Sequence, residues 1–286
     1  MSRFPALSRA TLPYAVLAAS LLLTAAAASL MAMAQRARDR ARFANAVEST
    51  RDRITGRLDT YTTLLRGAAG LFAASDTVTR ADFREYVGRL HVGYEDLRDH
   101  PETVIANAKA LGAKWVGLAW YPHEGAFTEA DARHAVADFN RFGRTMKDAG
   151  LSFFYHDHGF EPVPNGDGTL LDLMIRETDP QLVHFEMDVL WTWLPGVDPV
   201  ALIRKYPGRF RLMHIKDMKP GVPRGSLTGG LPDSLEAAIG EGQVPWPALM
   251  QAAQQDGFEE YYIEDETPAP LTNVPKSIRY LETLRY

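Results

Sequence analysis

The second half of this chain contains four short apolar runs, and each of them ends in histidine or carboxylate side chains. They read FFYHDHGFE over 153–161, LVHFEMD over 182–188, RFRLMHIKD over 209–217 and YYIEDE over 261–266. Runs of four to six aromatic and branched residues before a polar or glycine-containing loop are typical of buried β-strands. A fold that aligns the ends of consecutive parallel strands would bring these side chains to one place.

Helical segments separate the strand runs. Pro101 starts one predicted helix, which Gly112 ends, and a second helix is expected from Thr128 to Asp148 before Gly150. The alternation of strand and helix predicts βαβ units and a parallel sheet. Strands are expected near 115–120, 152–157, 182–187, 209–215 and 260–264. A closed (β/α)8 barrel needs eight strands. We therefore predict an α/β fold that is an incomplete (β/α)8 TIM barrel, with a curved sheet that does not close.

Composition excludes several kinds of site. The 286 residues include no cysteine, so disulfides, thiolate nucleophiles and iron–sulfur clusters are ruled out. The formal net charge of -5 argues against a nucleic-acid partner. The remaining candidates are sites built from carboxylates, imidazoles and amines.

The side chains that follow the predicted strands suit a divalent metal. Carboxylate oxygens mixed with one or two imidazoles favour Mn²⁺, Mg²⁺, Co²⁺ or Zn²⁺. An ion that binds a carbonyl and its neighbouring hydroxyl stabilises an enediolate, and a flanking carboxylate can then move a proton between adjacent carbons. Glu186 lies two residues before Asp188 and so points the same way. It is either a group beside the site or an interior ion-pair partner.

The chain from about 99 to 286 resembles the sugar phosphate isomerase/epimerase family of the xylose isomerase-like TIM barrels. The resemblance rests on AKALGAKWVGLAWYP, YHDHGFE, FEMDVLW, DPVALIRKYPGRF, MHIKDM, GEGQVPWPAL and YYIEDETP. It implies a metal site of Asp188, His214, Glu264 and a fourth ligand, for which we choose Glu161 over its competitor His156.

Further roles are assigned on the same basis. Glu264, Glu161 and His158 are the predicted groups for proton transfer, and Lys216 is expected to bind substrate oxygens. The predicted substrate-binding residues are His156, Lys216, Trp191 and His123. Trp191 and Trp193 would form a stacking wall for a sugar, although core packing explains them equally well.

The N-terminal segment has a different character. Leu12 to Ala34 contains no charged residue, and its 23 residues would form a helix of roughly 34 Å, long enough to cross a bilayer. A membrane anchor, a signal peptide cleaved after Ala34 and a buried helix of a soluble protein are the alternatives. The arginines that follow favour a cytoplasmic position for the rest of the chain.

Residues 35–92 are predicted to be helical, with Phe83, Val87 and Leu90 on one face of a helix that Thr79 caps. The pattern over 54–90 resembles the start of the CHASE sensor domain of membrane-bound histidine kinases and cyclases. In that family the domain lies outside the cytoplasm, which is opposite to the orientation favoured by the arginines. An ordinary amphipathic helix pair is the alternative.

These patterns divide the chain into an anchor or signal segment over 1–34, a helical CHASE-like fragment over 35–92 and the barrel portion over 99–286. We expect a divalent-metal-dependent sugar or sugar-phosphate isomerase or epimerase, inactive if truncation disrupts the barrel. The alternative is a membrane-anchored sensor or interaction fragment without catalysis. The expected partners are a small sugar, the inner (plasma) membrane through one span and a second copy of the chain.

Overall fold

The computed structural model describes Met31, Met33, Gln35, Arg38 and residues 88–285. The four isolated residues are helical, and Met31 and Met33 are exposed. The strands within residues 88–285 are β1 (Arg89–Val92), β2 (Trp115–Leu118), β3 (Ser152–His156), β4 (Pro164–Asn165), β5 (Gly168–Thr169), β6 (Val183–Asp188), β7 (Phe210–Ile215), β8 (Asp217–Met218), β9 (Glu236–Ala237) and β10 (Glu260–Ile263).

The main sheet has the strand order β1-β2-β3-β6-β7-β10, and every neighbouring pair is parallel. Two antiparallel ribbons, β4 with β5 and β8 with β9, lie outside it. The α-helices of the same part of the chain are α1 (Tyr94–Asp99), α2 (Pro101–Leu111), α3 (Glu129–Asp148), α4 (Leu170–Glu177), α5 (Val189–Trp193), α6 (Pro199–Lys205), α7 (Trp246–Asp256) and α8 (Pro270–Thr283). The five predicted strands and the curled parallel sheet of a partial barrel are confirmed.

Helix α3 illustrates how local sequence sets the elements. The Thr128 hydroxyl accepts a hydrogen bond from the Asp131 amide, and the Asp131 carboxylate accepts one from the Thr128 amide. This reciprocal cap satisfies donors that the helix itself leaves free. Phe139 and Phe142 lie on the buried face of α3, where Phe139 stacks on Tyr155 of β3 at 4.5 Å between ring centroids. The predicted helix from Thr128 is confirmed.

Alternation along the strands separates two faces of the sheet. Phe153 and Tyr155 contribute to the core beneath the helices, whereas Phe154 packs in a separate cluster with Trp115 and Leu212. This second cluster is formed because successive side chains of a strand point to opposite faces. It lies on the same face as the last residue of β3, His156, and so forms a floor below it.

Strand β1 differs from the sequence-based expectation. The helical periodicity placed Leu90 on a helix, but Leu90 pairs with Val116 in a parallel ladder. Tertiary pairing outweighs local periodicity here, because the edge of β2 offers backbone partners along its whole length. The sheet therefore has six strands, and the α/β unit begins before residue 99.

The two edge strands of the sheet approach each other through their side chains. The guanidinium of Arg89 in β1 lies 3.8 Å from the ring centroid of Tyr262 in β10. A Cβ atom on Gly88 would come within 2.6 Å of the Glu260 carboxylate. The curl thus brings β1 close enough to β10 for its side chains to reach the site on the concave face.

The N-terminal predictions fall almost entirely outside the described residues. This applies to the span from Leu12 to Ala34, apart from Met31 and Met33, and to the CHASE-like pattern before Gly88. Within the described part of the chain, no helix combines the length and apolar character that crossing a membrane requires.

Candidate active site

Two histidines and two carboxylates lie at the carboxyl ends of adjacent strands. His156 and Asp188 are the last residues of β3 and β6, His214 lies near the end of β7, and Glu264 directly follows β10. Asp188 is in register with His214, and the backbone amide of Glu264 continues the parallel pairing by donating to Ile215. Parallel pairing therefore aligns their side chains at one end of the sheet.

Asp188, His214 and Glu264 form what we call the outer group. His214 Nδ1 lies 2.9 Å from Glu264 Oε2 and 3.4 Å from Asp188 Oδ2. One ligand atom from each residue lies within 4.8 Å of the others, which is the spacing of atoms that could share a cation. The structure thus brings together three of the predicted ligands, although their role as ligands stays a prediction.

The outer group contains buried polar atoms that lack hydrogen bonds. Asp188 Oδ1 accepts from the amides of Leu190 and Trp191 at the start of α5, but Asp188 Oδ2 accepts no hydrogen bond from the described part of the chain. His214 Nδ1 is also buried, and its contact with Glu264 Oε2 at 2.9 Å is an ion pair that lacks hydrogen-bond geometry. Such atoms are costly unless something else satisfies them. A divalent cation would satisfy both, so the donor set fits Mn²⁺, Mg²⁺, Co²⁺ or Zn²⁺.

Charge in the outer group also favours a cation. Burial tends to raise the pKa of Glu264, but His214 and Lys216 hold it well below its usual range. Burial tends to lower the pKa of His214, but the facing carboxylates, Glu186 above all, raise it to about 9. The interior is therefore rich in negative charge beside His214.

His91, His156, Glu186 and His214 form an inner group, with one ligand atom each within 4.8 Å of the others. Its centre is Glu186 Oε2, which accepts from His91 Nε2 at 2.7 Å and from His156 Nδ1 at 3.1 Å. The other carboxylate oxygen lies 2.9 Å from Arg89 Nε. Burial tends to raise the pKa of Glu186, but Arg89, His214 and His91 hold it well below its usual range.

Glu161 lies outside both groups. Its buried carboxylate accepts from the Tyr155 hydroxyl at 2.6 Å and from the His158 amide at 3.0 and 3.1 Å. These bonds tie it to the loop after β3, and burial raises its pKa despite them. Its predicted roles as a ligand and in proton transfer stay predictions.

Lys216 lies beside the outer group and is only 1% exposed. Its ammonium nitrogen is 3.5 Å from Glu264 Oε2 and 3.4 Å from Glu236 Oε1, and it also pairs with Glu266. Burial tends to lower the pKa of Lys216, but these carboxylates and Asp188 raise it above its usual range. Lys216 is thus a buried positive charge held among carboxylates, and its predicted contact with substrate oxygens stays a prediction.

Aromatic side chains surround His158. Its ring stacks on Trp191 at 4.9 Å between centroids and meets Trp120 edge-on at 5.1 Å. Burial lowers the pKa of His158 to about 4, and its Nδ1 atom has no hydrogen-bond partner. His123 stacks on Trp120 and donates from Nδ1 to the Tyr121 carbonyl. Their predicted contacts with substrate are not tested by this arrangement.

Sequence reasoning missed four residues near the site. Arg89 and His91 fell within the predicted helical region, and Glu236 lies in a ribbon without a strand-end pattern. Glu266 ends the run YYIEDE but was given no role. The sequence did carry a signal for Arg89 and His91. In RLHV polar and apolar residues alternate, which puts Arg89 and His91 on one face of a strand. No local pattern marks Glu236.

Comparisons with known proteins agree with the fold. Inosose dehydratase of Clostridium beijerinckii is 23% identical over 167 residues, which cover 54% of this chain and 55% of the relative. The chain spans about half the length of the curated relatives it matches. A solved sugar phosphate isomerase/epimerase from Parabacteroides distasonis is 25% identical with a TM-score of 0.56, covering 73% of this chain and 77% of that structure.

A solved IOLI protein, described as binding a zinc atom, has a TM-score of 0.53 at 16% identity, covering 70% of this chain and 78% of its own. At this identity the likeness concerns the fold alone. The model of one family, described as the xylose isomerase-like TIM barrel, matches residues 93–284. Since this match covers well over half of the sequence, the chain belongs to the xylose isomerase-like TIM barrel family.

Proposed function

We propose that this chain is a divalent-metal-dependent enzyme that moves a proton at the carbon next to a carbonyl of a sugar or cyclic polyol. The observation that carries the proposal is the convergence of Asp188 Oδ2, His214 Nδ1 and Glu264 Oε2, since the imidazole nitrogen lies 2.9 Å from the Glu264 oxygen and 3.4 Å from the Asp188 oxygen. Proton removal beside a carbonyl is a step shared by isomerases, epimerases and dehydratases of polyhydroxylated ketones. These are the activities named for the relatives.

The fourth ligand is better supplied by His156 than by Glu161. His156 Nδ1 donates to Glu186, so the other ring nitrogen, Nε2, is left with its lone pair and lies 3.9 Å from Asp188 Oδ2. The carboxylate of Glu161 already accepts hydrogen bonds from the Tyr155 hydroxyl and the His158 amide. We therefore propose Asp188, His214, Glu264 and His156 as the metal-binding set. When bound, the ion would supply a Lewis acid for the substrate carbonyl.

The remaining roles follow from the positions of the side chains. Lys216 can donate hydrogen bonds to a substrate oxygen and so favour negative charge there. Burial lowers the pKa of His158 to about 4, so its ring is neutral near pH 7 and is a weak base that would act in proton transfer only from a close position. Glu264 is a second proton-transfer group. Trp191, which is buried beside both Lys216 and His158, is the proposed wall for the face of a sugar ring.

The experiment uses the full-length chain, stripped of metal with a chelator and reloaded separately with Mn²⁺, Co²⁺, Zn²⁺ or Mg²⁺. Each sample is incubated in D₂O with inosose or with a panel of ketose phosphates, and proton NMR follows deuterium entering beside the carbonyl. We expect exchange that requires metal and is lost in Asp188→Ala. Asp172→Asn is the matched control, because Asp172 is a buried carboxylate that caps α4 and bonds Lys205 and Tyr206 away from both groups.

Absence of both metal binding and exchange would overturn the proposal and leave the interaction fragment as the better description. Metal binding without exchange on any substrate would retain the ion site but reject this reaction class.

Membrane attachment by residues 12–34 is a separate proposal that rests on sequence alone. Extraction of the full-length chain from membranes by detergent but not by alkaline carbonate would support an anchor. A soluble product beginning after Ala34 would support a cleaved signal. The CHASE-like pattern, the sensor role and self-association likewise stay sequence-based proposals.

A further inference from the structure

Glu186 occupies an unusual position for a carboxylate, because it is fully buried on the concave face of the sheet. Strand alternation points it to the same side as Asp188, two residues further along β6. A buried charge is expensive unless it is paired and hydrogen-bonded. The contacts of its two oxygens therefore indicate what the residue does.

The two oxygens serve different partners. Oε1 faces the guanidinium of Arg89, with Nε at 2.9 Å. Oε2 accepts hydrogen bonds from His91 at 2.7 Å and from His156 at 3.1 Å. Arg89 and His91 both come from β1, and Arg89 is held in turn against the ring of Tyr262. Strand β1 thus fixes the carboxylate from one side.

The hydrogen bond to His156 has a chemical consequence. Ionised Glu186 can only accept, so the proton of a neutral His156 ring must lie on Nδ1. The Nε2 lone pair is then directed towards Asp188 Oδ2, 3.9 Å away, in the outer group. In metal sites, a carboxylate bonded to the far nitrogen of a histidine sets the tautomer and the orientation of the ring in this way.

Resting on the proposed function, we infer that Glu186 is the positioning residue that fixes His156 as a metal ligand, with Arg89 and His91 holding its carboxylate. His214 is not clamped by a hydrogen bond to Glu186, because its Nε2 lies 3.6 Å from Oε2. The inference therefore concerns His156 specifically.

The inner group is not itself assigned a second ion. Its ligand atoms are close enough, but Arg89 already places a positive charge against Glu186 and the short contact between Arg89 and His214 fills the space beside it. His91 and His156 each donate one ring nitrogen proton to Glu186. Its carboxylate, imidazole and guanidinium groups thus already contact one another, so the space between them is occupied.

The test compares Co²⁺ affinity and the visible absorption of bound Co²⁺ in the full-length chain and in Glu186→Gln. In Glu186, one carboxylate oxygen faces Arg89 and the other accepts from His91 and His156. Glutamine has only one acceptor oxygen, so it cannot serve both sets of partners. We expect affinity to fall by roughly 10- to 100-fold, with a changed Co²⁺ spectrum. In a His156→Ala background the same substitution should have little further effect, because the ligand through which it acts is gone. Asp172→Asn is the matched control for exchanging a buried carboxylate for an amide.

A second measurement needs no substitution of Glu186. Two-bond proton–nitrogen NMR spectra of the metal-free chain distinguish the two neutral tautomers of His156, whose signal is identified by its loss in His156→Gln. A proton on Nδ1 is expected, and a proton on Nε2 would overturn the inference even if Glu186→Gln fails to fold. Unchanged Co²⁺ affinity in folded Glu186→Gln would also overturn it, with the proposed function intact. Failure of the unaltered chain to bind any metal would reject both.

Discussion

The ammonium nitrogen of Lys216 lies 3.4 Å from a carboxylate oxygen of Glu236, and both side chains are almost completely buried. Burial raises the pKa of Glu236 to about 8, although Lys216 lowers it, and Glu266 raises it further. Lys216 nevertheless stays charged, because Glu264 is the carboxylate that attracts it most. Glu236 is thus the member of this cluster that takes up a proton near neutral pH.

Stability should therefore depend on pH through Glu236. The folded chain holds the proton of Glu236 more tightly than the unfolded chain does, where its pKa is the ordinary 4.5. The resulting stabilisation is complete below pH 4.5 and is lost as the pH rises towards 8. Glu236→Gln has a neutral side chain at every pH. The difference in melting temperature between this variant and the unaltered chain should therefore shift in favour of the variant from pH 5 to pH 8.5. The corresponding change in the free energy of unfolding is about a few kcal/mol at most. Parallel curves for the two proteins would contradict this.

Metal binding should require both carboxylates of the outer group. Removing Asp188 or Glu264 takes away one ligand and one negative charge beside His214. Asp188→Ala and Glu264→Ala are each expected to abolish stoichiometric binding of Mn²⁺ or Co²⁺, measured by calorimetry and by metal analysis after gel filtration. His134→Ala is a suitable control because His134 is exposed on α3. Retention of full binding by either alanine variant would exclude that residue from the site.

The floor beneath the site should tolerate no side chain at position 117. A Cβ atom on Gly117 would lie 2.2 Å from the ring of Phe154, which is completely buried. Gly117→Ala is expected to lower the free energy of unfolding by about 1–3 kcal/mol or more, since the ring must move. Gly230→Ala is the matched control, because the nearest atom to its added Cβ is 3.9 Å away. Equal effects of the two substitutions in urea unfolding would count against this packing.

Substrate binding should depend on Trp191 more than on Trp193. The ring of Trp191 lies against His158 and 5.4 Å from the Lys216 ammonium nitrogen, whereas the guanidinium of Arg224 covers Trp193 at 3.7 Å. Trp191→Phe is expected to raise KM several-fold with little change in metal content, because it alters only the stacking surface. Trp193→Phe should leave both nearly unchanged. A larger KM effect at Trp193 would support the stacking role that the sequence suggested for it.

Much of the fold was predictable because it depends on regular patterns. Apolar runs located five strands of the sheet, four of which lead into histidine or carboxylate side chains, and the start signals at Pro101 and Thr128 located two helices. Strand β1 was missed because the alternation in RLHV covers only four residues and follows a longer helical pattern. Its structure depends on pairing with β2, far along the sequence.

The sequence by itself determined which chemical groups meet, since parallel strands must align their carboxyl ends and Asp188, His214 and Glu264 stand there. Only the tertiary structure decided how His156 and Glu161 divide their contacts. His156 ends strand β3, and Glu161 lies in the loop that follows it. The Glu161 carboxylate accepts a hydrogen bond from the Tyr155 hydroxyl, whereas His156 donates one to Glu186. A linear pattern cannot show this difference, because the direction of a side chain beyond a strand end depends on partners supplied by other elements.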